Sequence, residues 1–257
     1  HRLDPDRPRP PSTAMKHLTL LFLAAVFATC FASVSRAQQT SPLIPTGTLT
    51  AFPTFVQTGT NPMLTWNVTL PQSITDVVTI TPPGTLTPKK SMTMQVRVLG
   101  ASVKRVWLNS WGQVTNWEWV PTEAQMRVGS GSWSRIFYNT HNNVNPNTIV
   151  RNQTVSTNVA LNFGGRYYVD GSWSSLYTTQ NSSTNVVALK NGDPPPTTTP
   201  LYQQPTIQSF IIPYLDTSGN IKLGPRDVIY LMELTHTNKN DSGFDLQDLC
   251  LLVTFID

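Results

Sequence analysis

The feature that most constrains this chain is the alternation of apolar and polar residues in short stretches. Residues 63–69 (MLTWNVT) and 92–98 (MTMQVRV) both alternate, which sends successive side chains to opposite faces as a half-buried strand requires. Residues 76–81 (DVVTIT) read as another strand. They run into Pro82-Pro83-Gly84, a turn in which proline presets φ and glycine is free to take a positive one. Pro and Gly interrupt the apolar segments too often for long helices. Only 12% of residues are charged, and Thr, Ser, Asn and Pro are abundant, a mix that favours strands and turns. The predicted fold is therefore mostly β: an antiparallel β-sandwich with additional β-hairpins and one short C-terminal helix.

Further elements follow from local pattern. Residues 103–120 (VKRVWLNSWGQVTNWEWV) hold four of the seven tryptophans and form a hairpin turning at 109–112. The segment Gly131-Ser132-Trp133-Ser134 is echoed by Gly171-Ser172-Trp173-Ser174, which reads as two similar hairpins. Asp170-Gly171 in the second is a two-residue hairpin signal. Ile207, Phe210, Ile211, Tyr214 and Leu215 recur at helical spacing, with Pro213 placed to break or kink the helix. The apolar runs 227–234 (DVIYLMEL) and 248–255 (DLCLLVTF) read as two pairing strands.

The amino-terminal part reads as an address. Residues 1–14 are rich in Pro and Arg and read as an extension upstream of a start at Met15. Lys16 and His17 precede an apolar run at 18–31, and Ser35-Arg36-Ala37 offers small residues where a signal peptidase reads them. That run rises about 21 Å as a helix, short of a ~30 Å hydrocarbon core. It is read as a signal peptide cleaved near Ala37-Gln38, giving a secreted, periplasmic or cell-surface chain with no transmembrane span. The remainder divides into a first β region (38–128), whose likeness to Ig-like modules rests on residues given below, a hairpin-rich β region ending in the proline run 194–196 (129–196), and a C-terminal β-hairpin subdomain (197–257), separate or packed with the rest.

Charge then excludes one class of partner. The apparent excess of 18 Lys and Arg over 14 Asp and Glu lies mostly before residue 38, and the remaining 220 residues hold 13 basic and 12 acidic side chains. Nucleic-acid binding, which needs clustered cations, is not expected. One cysteine, Cys250, remains after the cleavage point. It sits in an apolar run and reads as a small buried hydrophobe.

Two stretches carry a family likeness. Leu64-Thr65-Trp66-Asn67-Val68 with Val78-Thr79-Ile80-Thr81-Pro82-Pro83-Gly84-Thr85 resembles bacterial Ig-like surface modules over about residues 42–100. Asp241, Gly243, Phe244, Asp245 and Asp248 with the strand 249–255 resemble the end of exported β-rich bacterial proteins of unassigned activity over about 205–257. Relatives of the second kind carry a denser Asp/Asn loop held to bind calcium.

Three chemistries are open to these residues. The loop 235–247 is rich in oxygen ligands, and Asn240, Asp241, Asp245 and Asp248 are the candidate Ca²⁺ ligands, against a plain solvated loop. The loop lacks EF-hand spacing, since Leu249 falls where a bidentate Glu belongs. Trp117 and Trp119, which share a strand face, and Tyr167, Tyr168 and Trp173 are candidate sugar-stacking residues, with polysaccharide as ligand, against a core role. Solvent exposure of Trp117 and Trp119 is the discriminating observation. For catalysis, His141 and His236 belong to no zinc pattern, no G-x-S-x-G elbow is present, and Glu118 with Glu123 is the one imaginable glycosidase pair. The sequence thus favours an exported, non-enzymatic structural or adhesive protein of a bacterial envelope, in contact with polysaccharide or other envelope proteins. A carbohydrate-binding module and a secreted hydrolase are the alternatives.

Overall fold

The computed structural model describes residues 46–52, 58–59, 63–69, 72–198 and 204–257. The predicted signal peptide and the extension before it lie outside the described residues.

The chain is mostly β, with antiparallel sheets and only short helical segments. The amino-terminal hairpin is β1 (Thr46–Phe52) with β2 (Met63–Thr69). A helical turn α1 (Ile74–Val77) leads into β3 (Val78–Thr81), β4 (Thr85–Pro88) and β5 (Met92–Gly100). A second hairpin is β6 (Lys104–Leu108) with β7 (Val114–Trp119). Then come β8 (Thr122–Val128), β9 (Ser134–Asn139), β10 (Ile149–Val155), β11 (Leu161–Val169), β12 (Ser172–Trp173), β13 (Tyr177–Thr178) and β14 (Val186–Leu189). Helix α2 (Ile207–Ile211) precedes β15 (Asp227–Met232) and β16 (Leu249–Ile256).

Among the described residues, one sheet has the order β10-β5-β16-β15-β14, and a second runs β3-β4-β11-β8-β9 with β12 and β13 also on β11. The two sheets enclose one core. Met94, Val96, Tyr230, Leu251, Val253 and Phe255 from the first meet Leu86, Ala124, Met126, Leu161 and Phe163 from the second. The other face of the first sheet is covered as well: Leu99, Ile229, Leu231, Cys250 and Leu252 pack under Ile207 and Ile211 of α2 with Ile221 and Leu223. Being covered on both faces explains why β15 and β16 read as unbroken apolar runs rather than alternating ones. Cys250 is buried in this second core, and burial pushes its thiol up. Because β16 pairs with both β5 and β15, residues from the amino-terminal and carboxy-terminal regions share one sheet.

Several local expectations change in detail. Residues 76 and 77 belong to α1 rather than to a strand. Ser73 caps it by accepting from the Thr75 N–H, and the Asp76 carboxylate accepts from the Ser73 N–H in return, a capping box that competes with extension. Gly84 is absent from the residues at positive φ. Its need for glycine is steric, because a Cβ there would meet Tyr230 Cε1 at 2.7 Å while Tyr230 Oη donates to the Gly84 carbonyl at 2.5 Å. The Asp170-Gly171 turn does take positive φ at both positions, 50° and 78°, joining Val169 directly to Ser172. After α2 the chain tightens into a 3-10 turn at Ile212–Tyr214 around Pro213, since proline supplies no N–H to continue an α-helix.

Candidate functional site

The β6–β7 hairpin forms its own two-stranded sheet. Its turn is built by Asn109, whose Oδ1 accepts from the N–H groups of Trp111 and Gln113 at 3.0 and 2.9 Å. The Asn109 amide also donates to Gln113 Oε1 at 2.9 Å, and Gly112 takes a φ of 76°. This turn holds Trp111 at the tip with 78% of its surface exposed. The base is closed by Val120 N–H donating to the Val103 carbonyl at 2.9 Å.

The register sets Val106 opposite Trp117 and Lys104 opposite Trp119, so these four side chains share one face. Arg105, Trp107 and Glu118 lie on the other. Trp117 is 48% exposed, and its ring meets that of Trp119 edge-on, centroids 5.6 Å apart. The Lys104 ammonium stands over Trp117 at 4.4 Å and Trp119 at 5.6 Å. Trp119 is half-buried, backed by His141 at 4.3 Å, which in turn meets Phe210 at 5.9 Å. Burial lowers the His141 pKa, and among the described residues its buried Nδ1 has no hydrogen-bond partner. The hairpin is tied to the larger sheet by Arg105, which bonds Asp170 at 2.7 Å and stacks on Trp107 at 4.8 Å.

A second aromatic group lies at the same end of the molecule. Trp173 meets Tyr168 at 5.0 Å and Tyr138 at 5.6 Å, with Arg166 over its ring at 4.2 Å and Arg135 at 5.6 Å. Both guanidinium groups converge on Glu123, Arg135 at 2.6 Å and Arg166 at 2.5 Å. Burial acts to raise the Glu123 carboxyl, but the bonds from Arg166, Arg135 and Gln125 outweigh it and hold the pKa below its usual value. The echo seen in the sequence has a matching structure: Trp133 stacks on Arg127 at 5.1 Å as Trp173 does on Arg166. Each tryptophan follows a hairpin turn and folds back over an arginine of the preceding strand.

Of the five candidate sugar-stacking residues, Trp117 and Trp119 are thus together on an open face, and Tyr168 and Trp173 form a second contact pair. Tyr167 is not with them. Alternation along β11 turns it to the opposite face, where it packs against the sandwich core. The imagined glycosidase pair is also separated in role. Glu118 lies on the hairpin surface 3.8 Å from Arg105, whereas Glu123 is 1% exposed and engaged by Arg135, Arg166 and Gln125.

The four candidate calcium ligands do not come together as one set. Asn240 and Asp241 are exposed in a turn organised by Asn238. Asp245 and Asp248 are buried beneath it. Among the described residues no group of three or more His, Cys, Asp or Glu is arranged to hold a metal ion. Asp245 and Asp248 instead surround Glu233, which the sequence reading did not single out. Its carboxylate accepts from the N–H groups of Thr235, His236, Asp245 and Leu246. Burial acts to raise the Glu233 carboxyl, but the bonds from the Thr235 hydroxyl, the Asp245 N–H, the Asp248 carboxyl and the Thr235 N–H outweigh it and favour its charged form. Burial, then the Glu233 charge, pushes Asp245 up to about 7 and Asp248 well above its ordinary value. Beside the loop, an open cavity of about 600 Å³ is lined by Val187, Pro196, Lys239, Asp241, Phe244 and Leu246 among others.

Comparison with family models, with curated proteins and with solved structures finds no match in any of the three.

Proposed function

We propose that this chain is an exported, non-enzymatic adhesive β-protein of a bacterial envelope that holds polysaccharide against the aromatic face of the β6–β7 hairpin. The observation that carries the reading is Trp117, half exposed on a strand face beside Trp119, with the Lys104 ammonium at the ring. Pyranose rings present apolar C–H faces that stack on indole, and a few placed donors then orient the ring. His141 and Phe210 fix Trp119 from behind. The turn bonds of Asn109 hold the hairpin in shape before any ligand arrives, which reduces the ordering cost of binding. Export rests on the signal-like segment 15–37, and the adhesive role is in keeping with the resemblance to Ig-like surface modules.

The test is retention on a panel of insoluble neutral and acidic polysaccharides, with intrinsic fluorescence as a second readout. The wild-type chain is expected to be retained on at least one polymer, and Trp117→Ala to lose at least tenfold in affinity with its Tm within about 2 °C of wild type, as for a surface substitution. No retention on any polymer, or equal retention of Trp117→Ala, refutes the reading.

A further inference from the structure

The outer face of the second sheet presents a different surface from the β6–β7 hairpin. Alternation along β8 sends Ala124 and Met126 into the core and turns Glu123, Gln125 and Arg127 outward. The register sets Arg166 and Tyr138 beside Glu123, Arg135 beside Gln125, and Asn162 beside Arg127. Glu123 is the one acidic residue of β8, β9 and β11, and Arg127, Arg135 and Arg166 are the three basic ones. Three guanidinium groups against one carboxylate leave this face two positive charges in excess.

Glu123 and Gln125 are buried beneath the arginines, so solvent meets guanidinium groups and aromatic rings. The Arg135 side chain is 51% exposed and that of Arg166 26%. Each bonds Glu123 through Nε, and among the described residues their Nη groups have no hydrogen-bond partner. Tyr138 backs Arg135 at 4.6 Å and Trp173 backs Arg166 at 4.2 Å, which holds both guanidinium planes in place before any ligand arrives. Arg127 extends the row. It stacks on Trp133 and bonds Gln180, and its buried Nε has no partner among the described residues.

Charge and spacing indicate the occupant. A guanidinium end with open N–H groups matches a carboxylate bidentately, and the flanking rings offer faces for the C–H side of a sugar. From Glu123 to Arg127 the strand runs about 14 Å, longer than one monosaccharide, so the cations suit an extended chain with spaced carboxylates. Two excess charges over that length are too sparse for a nucleic-acid duplex, which carries one phosphate charge per about 1.7 Å. None of the outward residues is aliphatic, so the face has nothing to bury in a bilayer. Taking polysaccharide as the ligand class proposed above, we infer that the outer face of β8, β9 and β11 is a second binding surface, selective for polysaccharides that carry carboxylate groups.

Titration calorimetry of the purified chain with polygalacturonate and with its methyl ester tests this, because esterification removes the charge and keeps the sugar. The unesterified polymer is expected to bind at least about fivefold more tightly. That advantage is expected to vanish as NaCl rises from about 20 to about 500 mM. Arg135→Gln and Arg127→Gln are each expected to lower affinity for polygalacturonate about three- to fivefold and to leave the methyl ester unchanged. Trp117→Ala, on the hairpin, is expected to keep the preference for the unesterified form. Equal binding of the two polymers, no binding of either, arginine variants that bind polygalacturonate like the wild type, or single-stranded DNA bound more tightly than polygalacturonate overturns the inference. Equal binding of the two polymers together with weaker binding by Trp117→Ala overturns it while leaving the hairpin site standing, so the two fail separately.

Discussion

Replacing Asp245 by Asn turns the buried carboxyl group into a measurement. Asp245 is 2% exposed and accepts from Gln247 Nε2 at 2.9 Å while facing the ionised Glu233. Burial, then the Glu233 charge, raises its pKa from 3.8 to about 7. The folded chain therefore keeps a proton that the unfolded chain releases once the pH exceeds about 4. Stability falls as pH rises from about 4 to 7 and is level above that. A shift of about three units at 1.36 kcal/mol each is about 4 kcal/mol, part of which belongs jointly to Glu233 and Asp248. Asparagine cannot ionise, yet it keeps an oxygen for the Gln247 amide. Asp245→Asn is thus expected to exceed the wild type by about 2–4 kcal/mol at pH 8 and to match it near pH 4. At about 2–4 °C per kcal/mol for a domain of this size, the Tm gap at pH 8 is roughly 5–15 °C. Thermal and urea unfolding followed by circular dichroism at pH 4, 6 and 8 reads this directly. A gap of the same size at pH 4 and pH 8, or a less stable variant at pH 8, refutes the claim that Asp245 takes up a proton on folding.

Three further outcomes follow from single contacts. Glu123→Gln removes the shared partner of two partly exposed arginines and is expected to cost about 1–3 kcal/mol at pH 7. Because the Glu123 pKa is lowered on folding, that cost shrinks as pH falls below the usual carboxylate range and through the lower pKa of the folded carboxyl; urea unfolding at pH 3 and pH 7 checks the direction. Tyr230→Phe leaves the buried Gly84 carbonyl without its donor, for a loss of about 1–3 kcal/mol in chemical denaturation. Gly171→Ala places a Cβ at a φ of 78° and is expected to cost about 1 kcal/mol, seen as a Tm drop of about 2–4 °C.

The β character was legible because alternation is a local signal. Residues 63–69 and 92–98 show it directly, and the Asp170-Gly171 pair announces its own turn. The helix at 207–211 was legible for the same reason, since Ile207 and Ile211 repeat at the spacing that puts both on one face. Features set by distant partners were not legible. Glu233 ends an apolar run and looks like the polar end of a strand, but two of its partners are the amides of Asp245 and Leu246, across the β15–β16 loop. The twin Gly-Ser-Trp-Ser segments could be seen, but not the arginines beneath them, because a hairpin turn separates each Trp from its Arg. Tyr167 and Tyr168 look equivalent as neighbours, and only the orientation of β11 decides which faces the core. The exposure of Trp117 is of this kind as well: sequence places it beside Trp119 on one face, and only the stance of the hairpin leaves that face open.

The position of β16 has a consequence for how the chain is made. Its residues pair with β5 on one side and β15 on the other, Phe255 lying opposite Met94. The middle of the five-stranded sheet is therefore missing until residues 249–256 have left the ribosome. Contacts so distant along the chain make for slow closure. Until then β5 pairs with β10 alone and keeps its other edge open.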